Sequence, residues 1–266
     1  MMILNYIHWN IKPEIFTIGE WGPRWYGLLF ALSFVFGYYL MQKFFKKEGI
    51  KQEVLDSLTV YMFLGTLLGA RLGHCLFYDP SYYLSHPFEI LMVWKGGLAS
   101  HGAGVGIFIS LYIFVRKEKK PYLWILDKMA IMVALAGFFI RMGNLMNSEI
   151  YGHVTTLPWG FIFERRHETL PKHPTQIYEA LSYLAIFILL YFIYAKNDGK
   201  QKRGLIFSLF MILVFTARFL IEFVKENQVD FEAGMVLNMG QWLSIPFVLF
   251  GVGLLFVTTR KKIKLN

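Results

Sequence analysis

Seven apolar blocks of roughly 18 to 22 residues punctuate this chain, at about 24–43, 56–78, 98–115, 122–146, 176–195, 204–224 and 239–259. A helix rising ~1.5 Å per residue needs about that length to cross ~30 Å of hydrocarbon. The expected fold is therefore all-α, a polytopic integral membrane protein with seven transmembrane helices. Composition points the same way. Only 17% of the residues are charged and 56% are hydrophobic, whereas a soluble domain typically carries ~25% charged residues to coat its surface. Disorder, a coiled coil and a disulfide-stapled secreted scaffold are excluded. The single cysteine, Cys75, has no partner for an internal disulfide and reads as a small apolar filler.

The formal charge of +9 would suggest nucleic acid in a soluble protein, but its placement gives it another meaning. Lys43, Lys46, Lys47 and Lys51 lie in the first connection, and Arg116, Lys117, Lys119 and Lys120 in the third. Lys196, Lys200, Lys202 and Arg203 lie in the fifth, and Arg260, Lys261, Lys262 and Lys264 in the tail. These are 16 of the 27 basic residues, all on one side, which the bias of Lys and Arg makes cytoplasmic. The N-terminus is then external and the C-terminus cytoplasmic. Residues 1–23 read as an external arm with interfacial aromatics such as Trp9 and Trp21, and lack the basic leader and apolar core of a cleaved signal. The whole chain, 1–266, is expected to be a single seven-helix membrane domain with external segments at about 79–97, 147–175 and 225–238. These external connections are longer and rich in His, Pro, Gly and acidic residues, so they mark the working side.

Ionisable side chains inside a span cost ~2.5–3.5 kcal/mol each on insertion scales, so each is a candidate for function. With this topology Arg71, Arg141, Asn144, Asn147, Glu149, Arg218 and Glu222 fall toward external helix ends. So do Tyr26, His101, His173, Gln176, Tyr178 and Glu179. Three arginines in a low-dielectric setting suit a phosphate, because a guanidinium stays charged and offers a planar fork of donors. A phospholipid headgroup is the phosphate nearest to an outer-leaflet cavity. Glu222, one turn after Arg218, is spaced to hold it. His101 sits in the Gly-rich run 96–104 and is a candidate base. Gly65, Gly69 and Gly73 form a stripe suited to close helix packing. A bland reading stands beside each of these: an intramembrane arginine can be the structural partner of Glu179 or Glu222, and Arg71 is read as readily that way. Lys128 is expected to snorkel to the cytoplasmic interface beside Asp127. His8, His74, His86, His153 and His167 have no ligand spacing, so neither a metal nor a cofactor is expected.

The run Arg141-Met142-Gly143-Asn144-Leu145-Met146-Asn147-Ser148-Glu149-Ile150-Tyr151-Gly152 closely resembles the signature of prolipoprotein diacylglyceryl transferases, seven-helix enzymes of the bacterial inner membrane. Ile140 stands where that signature has Gly, and Leu145 where it has Phe; neither position supplies chemistry, so both bear on helix packing. Further runs are similar to family motifs: Trp25-Tyr26-Gly27, Gly69-Ala70-Arg71-Leu72-Gly73, the Gly-Gly run ending at His101-Gly102, and His173-Pro174-Thr175-Gln176-Ile177-Tyr178-Glu179. Arg218-Phe219-Leu220-Ile221-Glu222 and Asn238-Met239-Gly240-Gln241-Trp242-Leu243-Ser244 complete the series, in order, over nearly the whole chain.

The resemblance implies transfer of the diacylglyceryl group of phosphatidylglycerol to the lipobox cysteine of a preprolipoprotein, whose signal peptide reaches the enzyme in the bilayer. Catalytic roles fall to His101, Arg141 and Arg218. Substrate contacts fall to Tyr26, Arg71, Gly102, Asn144, Asn147, Glu149, Gly152, Gln176, Tyr178, Glu179 and Glu222. His101 would take the thiol proton, or else only hydrogen-bond the lipid while the arginines lower the thiol pKa. The site would face the outer leaflet of the bacterial cytoplasmic membrane, in a monomer with no nucleic-acid partner. A phospholipid transporter is the rival from another class, but the chain has no convincing internal repeat and its polar groups lie on one side. A membrane scaffold leaves the gathering of arginine and histidine unexplained.

Overall fold

A computed structural model describes residues 6–19, 22–93, 96–97, 99–227, 232 and 234–260. Trp21, read above as an interfacial aromatic, and the tail lysines 261, 262 and 264, which helped to orient the chain, lie outside these residues. Long helices occupy every expected apolar block: α1 Trp25–Lys47, α2 Gln52–Phe77, α5 Ser100–Lys117, α6 Tyr122–Met146, α7 Thr175–Lys196, α8 Leu205–Ile221 and α9 Met239–Arg260. Two short helices, α3 Pro80–Ser85 and α4 Pro87–Ile90, each begin on a proline, where the missing N–H costs nothing. Six of the long helices are long and apolar enough to cross a membrane, with α8 extended to Val224 by a 3-10 turn. They carry exposed Phe34, Phe63, Leu189 and Leu249 along their flanks, an apolar surface suited to acyl chains rather than water. This is an integral membrane protein. Helix α5 falls outside the six because Ser100, His101, Arg116 and Lys117 crowd polar groups into its 18 residues.

The chain divides into two compact units, Met41–Leu126 and the remainder. Within the smaller unit α2 lies against α5 along the glycine stripe. A Cβ on Gly69 would fall 2.8 Å from Gly106 Cα, one on Gly102 2.7 Å from Gly73 Cα, and one on Gly65 2.7 Å from Ser110 Cβ. Only hydrogen fits at these crossings, so small residues let the two backbones touch.

In the larger unit α8 packs against both α7 and α9. Near the start of α6 Asp127 accepts hydrogen bonds from Gly204 N (2.7 Å) and Phe207 N (2.8 Å), capping the start of α8. Lys128 beside it is buried, its Nζ 5.9 Å from the Tyr194 ring centre, so it packs inside the protein instead of snorkelling to the interface. The opposite end of α6 carries a cap that includes a short parallel ladder between β1 Ile7–Trp9 and β2 Phe161–Phe163. Trp9 does not serve as an interfacial anchor. Its indole donates to Leu145 O (3.0 Å) and lies 5.4 Å from the Phe161 ring at a 45° tilt, in a cluster with Leu145 and Phe163. Leu145, one of the two positions that depart from the signature, thus fills a buried packing site.

Candidate active site

The end of α6 shapes the signature run. The helix stops where Ser148 and Ile150 adopt positive φ (52° and 61°), and Glu149 N returns to Asn144 O at 3.1 Å. This hook brings Glu149 under both amides: Asn144 Nδ2 donates to Glu149 Oε1 at 2.8 Å and Asn147 Nδ2 to the same oxygen at 3.2 Å. Gln176 Nε2 and Thr175 Oγ1 donate to the carbonyls of Glu149 (2.7 Å) and Ile150 (2.8 Å), tying the hook to the first turn of α7. Gly152 must be glycine, because a Cβ there would meet His173 Cβ and Thr175 Cγ2 at 2.8 Å. The closeness lets the 152–155 strip bond on one side to 171–173 and on the other to Val224.

Beside the hook, charges alternate. Arg141 Nε meets Glu179 Oε2 at 2.7 Å; Lys225 Nζ lies 3.3 Å from Glu179 Oε1 and 3.1 Å from Glu222 Oε1; Arg218 Nε lies 3.6 Å from Glu222 Oε1. Arg141 Nη1 also donates to Asn144 Oδ1 at 3.2 Å, which joins the row to the hook. Glu179 is fully buried and Lys225 only 3% exposed, whereas the side chains of Arg141 and Arg218 are 16% and 36% exposed. The carboxylates are therefore inside and the guanidiniums open at the two ends. Three cations face two carboxylates along the row, leaving a net positive charge where an anion would sit. Arg218 Nε has no hydrogen-bond partner, and Gln176 Oε1 is likewise buried and unpartnered. Such atoms in a buried site call for a ligand or water.

Gly240, in the first turn of α9, lets that helix come up against Glu222, since a Cβ there would fall 3.0 Å from Glu222 Cγ. Asn238 Nδ2 donates to Glu222 Oε2 at 3.0 Å. Tyr26 lies across Gly143, where a Cβ would fall 2.7 Å from its ring.

A family model for prolipoprotein diacylglyceryl transferase matches residues 13–257. The chain belongs to that family. Among its relatives are the phosphatidylglycerol–prolipoprotein diacylglyceryl transferases of Tolumonas auensis, 49% identical over 96% of this chain and 99% of that protein, and of Chloroherpeton thalassium, 46% identical over 97% and 96%. That of Bacteroides fragilis is 44% identical over 98% of each. The chain is thus an enzyme of the diacylglyceryl transferase family, and the arrangement above is where its family signature folds.

Not every expected residue joins this row. Tyr178 belongs to a neighbouring group on the cap, where Trp159 Nε1 donates to its hydroxyl at 2.9 Å and His173 Nδ1 lies 3.2 Å away. Burial and the nearby His153 hold His173 below the usual imidazole range. On the same cap Tyr151 donates to Glu168 at 2.8 Å, and burial with that carboxylate pushes its phenol up to about 12. Burial disfavours a charged Lys172, but Glu226 (2.5 Å) and Glu168 outweigh it and raise its pKa.

Arg71, His101 and Gly102 lie in the smaller unit. Arg71 is 2% exposed and donates to four backbone carbonyls: Ile90 (2.9 Å), Gly96 (2.7 Å), Gly97 (3.3 Å) and Glu89. Its guanidinium also lies 5.0 Å from the Tyr83 ring centre. Gly102 is a packing position against Gly69 and Gly73. His101 is exposed in the first turn of α5 and makes no hydrogen bond or ion pair among the described residues.

Lys225 is a candidate that reading the sequence missed, since it falls at the start of the segment 225–238, expected to be an external connection. Its signal is legible in hindsight: it follows Glu222 by three residues, one turn of the 3-10 segment that extends α8.

Proposed function

We propose that this chain transfers the diacylglyceryl group of phosphatidylglycerol to the lipobox cysteine of preprolipoproteins, working as a monomer at the outer leaflet of the bacterial cytoplasmic membrane. The observation that carries the reading is the buried row Arg141–Glu179–Lys225–Glu222–Arg218, whose terminal guanidiniums remain accessible. In the proposed topology α5 is the seventh span, the N-terminus is external, and the basic connections face the cytoplasm.

The substrate thiolate attacks the glycerol carbon bonded to phosphate. A sulfur–carbon bond forms, the carbon–oxygen bond breaks, and its electron pair departs on the phosphate oxygen as glycerol 1-phosphate. Free thiol has pKa ~8.5, so the proton must go to a base, and His101 is assigned that role. Arg141 and Arg218 neutralise the phosphate and the charge growing on the leaving oxygen, an effect strengthened away from water. Glu179 and Glu222 aim the arginines, and Lys225 joins the two carboxylates. Asn144, Asn147 and Glu149 are assigned to the headgroup hydroxyls; Tyr26, Gln176 and Tyr178 line the approach, and Gly152 holds the hook close. Arg71 is given a positioning role, since its donors are engaged by carbonyls, and Gly102 serves packing.

The test is incubation of purified protein with labelled phosphatidylglycerol and a lipobox peptide. A thioether adduct is expected with the wild type and is lost in Arg141→Ala and Arg218→Ala. Lipid movement without adduct would replace the transferase reading with transport. Full activity of His101→Asn at saturating lipid would remove the base role from His101.

A further inference from the structure

Outside the charged row, the larger unit holds a cavity of about 260 Å³ at its external face, lined in part by Arg24, Arg165, Arg166, Glu14, Asn147 and Glu149. This is below the ~300–1,000 Å³ typical of pockets for drug-sized ligands, so it suits a small polar molecule and not a diacyl lipid. Its walls are built. Residues 13–15 pair with 23–25 through Ile15 N–Pro23 O (2.8 Å) and Trp25 N–Pro13 O (2.9 Å), which places Arg24 3.6 Å from Glu14. Arg166 Nε donates to Ser148 O at 2.8 Å, leaving the rest of its fork free to face the cavity. Arg165 makes no hydrogen bond or ion pair among the described residues.

The carboxylates here are already answered: Glu14 by Arg24, Glu149 by two side-chain amides. The free capacity is therefore cationic, from guanidiniums that match a phosphate. One further group is unmatched: Asn147 Oδ1 is buried and has no donor, and a hydroxyl would supply one. A phosphate beside a hydroxyl is the chemistry of a glycerol phosphate. The cavity also adjoins the row, because Asn144 bonds Arg141 on one side and Glu149 on the other.

We infer that this cavity binds a glycerol phosphate, either the product once it leaves Arg141 or the headgroup of an incoming lipid before its phosphate reaches Arg141. The inference rests on the transferase reading for the identity of the anion. Two sources share this chemistry, the headgroup of intact phosphatidylglycerol and the released glycerol 1-phosphate.

The experiment uses the full chain in lipid nanodiscs. Thioether formation is followed with added glycerol 1-phosphate, inorganic phosphate or glycerol, in the wild type, Arg165→Glu and Arg24→Gln/Arg165→Gln. Binding of labelled glycerol 1-phosphate is measured separately by equilibrium dialysis. Glycerol 1-phosphate is expected to inhibit and bind the wild type more tightly than either fragment, and each variant to weaken it by about tenfold, as loss of a charge-assisted contact does. A rise in the inhibition constant with little change in the KM for lipid assigns the cavity to the released product. A parallel rise in KM assigns it to the lipid headgroup. Unchanged affinity in both variants overturns the inference. Should the wild type form no thioether, the transferase reading fails, while the dialysis still decides whether the cavity holds glycerol phosphate.

Discussion

Arg71 and Arg141 look alike in the sequence, each a lone arginine near the external end of an outward-running span, yet the two units treat them differently. Arg71 is closed off by four neutral carbonyls and an aromatic face. Arg141 is gripped through Nε by a buried carboxylate and keeps part of its guanidinium accessible. Carbonyl partners consume donors and fix a segment of chain, which makes Arg71 a clamp on residues 89–97. A carboxylate partner aims an arginine from behind and leaves donors for an anion in front, as at Arg141 and, at 3.6 Å from Glu222, Arg218. Partner type, more than depth in the membrane, separates a structural cation from one available to substrate.

The most damaging way to break this contrast is Glu179→Gln, which leaves Arg141 and Lys225 without the anion between them. Removing one partner from a buried pair typically costs about 3–5 kcal/mol. Denaturant unfolding in detergent should show a loss of that size, and a variant of wild-type stability would mean the row is not held by Glu179. Next in size is Arg141→Ala, expected to reduce kcat/KM by about 10²–10³, the range seen when one transition-state donor is removed. Its stability should fall by much less. Arg71→Ala should reverse the pattern, with about 2–3 kcal/mol lost from folding as charged hydrogen bonds to carbonyls disappear, and faster amide exchange in residues 89–93. Turnover abolished in Arg71→Ala at intact stability would erase the distinction between the two arginines. Smaller again is Gly102→Ala, where the new methyl must displace Gly73 Cα from 2.7 Å. Overpacking of this kind costs about 1–3 kcal/mol, measurable as a lower melting temperature.

The helices were legible because crossing a bilayer sets both length and composition: the expected spans 122–146 and 176–195 match Tyr122–Met146 and Thr175–Lys196 closely. The glycine stripe was legible from its spacing of four. The Arg218–Glu222 pair could be read for the same reason, being one turn apart on one helix. The carbonyls around Arg71 could not, since backbone acceptors leave no mark in a sequence. Nor could the β1–β2 ladder, whose three-residue strands are too short to show alternation. Trp9 followed from that omission: without the ladder it reads as a lipid anchor, and with it the indole is carried onto Leu145. Lys225 was hidden because it falls one residue past the expected span 204–224, in a segment read as external, whereas the fold buries it between two carboxylates.

The smallest effect concerns the cap, where the contrast between charged and neutral partners recurs at His173. Its ring sits beside the Tyr178 hydroxyl and is held below the ordinary imidazole range by burial and by His153. Among the described residues no carboxylate is positioned to reward its protonation, unlike Lys172 on the same cap, whose charged form is favoured by Glu226 and Glu168. A depressed folded-state pKa means that the unfolded chain binds a proton more readily. The stability contribution is therefore complete above the unfolded value, ~6.5 for histidine, and declines as pH falls through the lowered folded value. Thermal unfolding between pH 7.5 and 5 should show a shallow acid-side loss that shrinks in His173→Gln, which retains a hydrogen-bonding side chain and cannot titrate. An equal acid slope in that variant would locate the titrating group elsewhere on the cap.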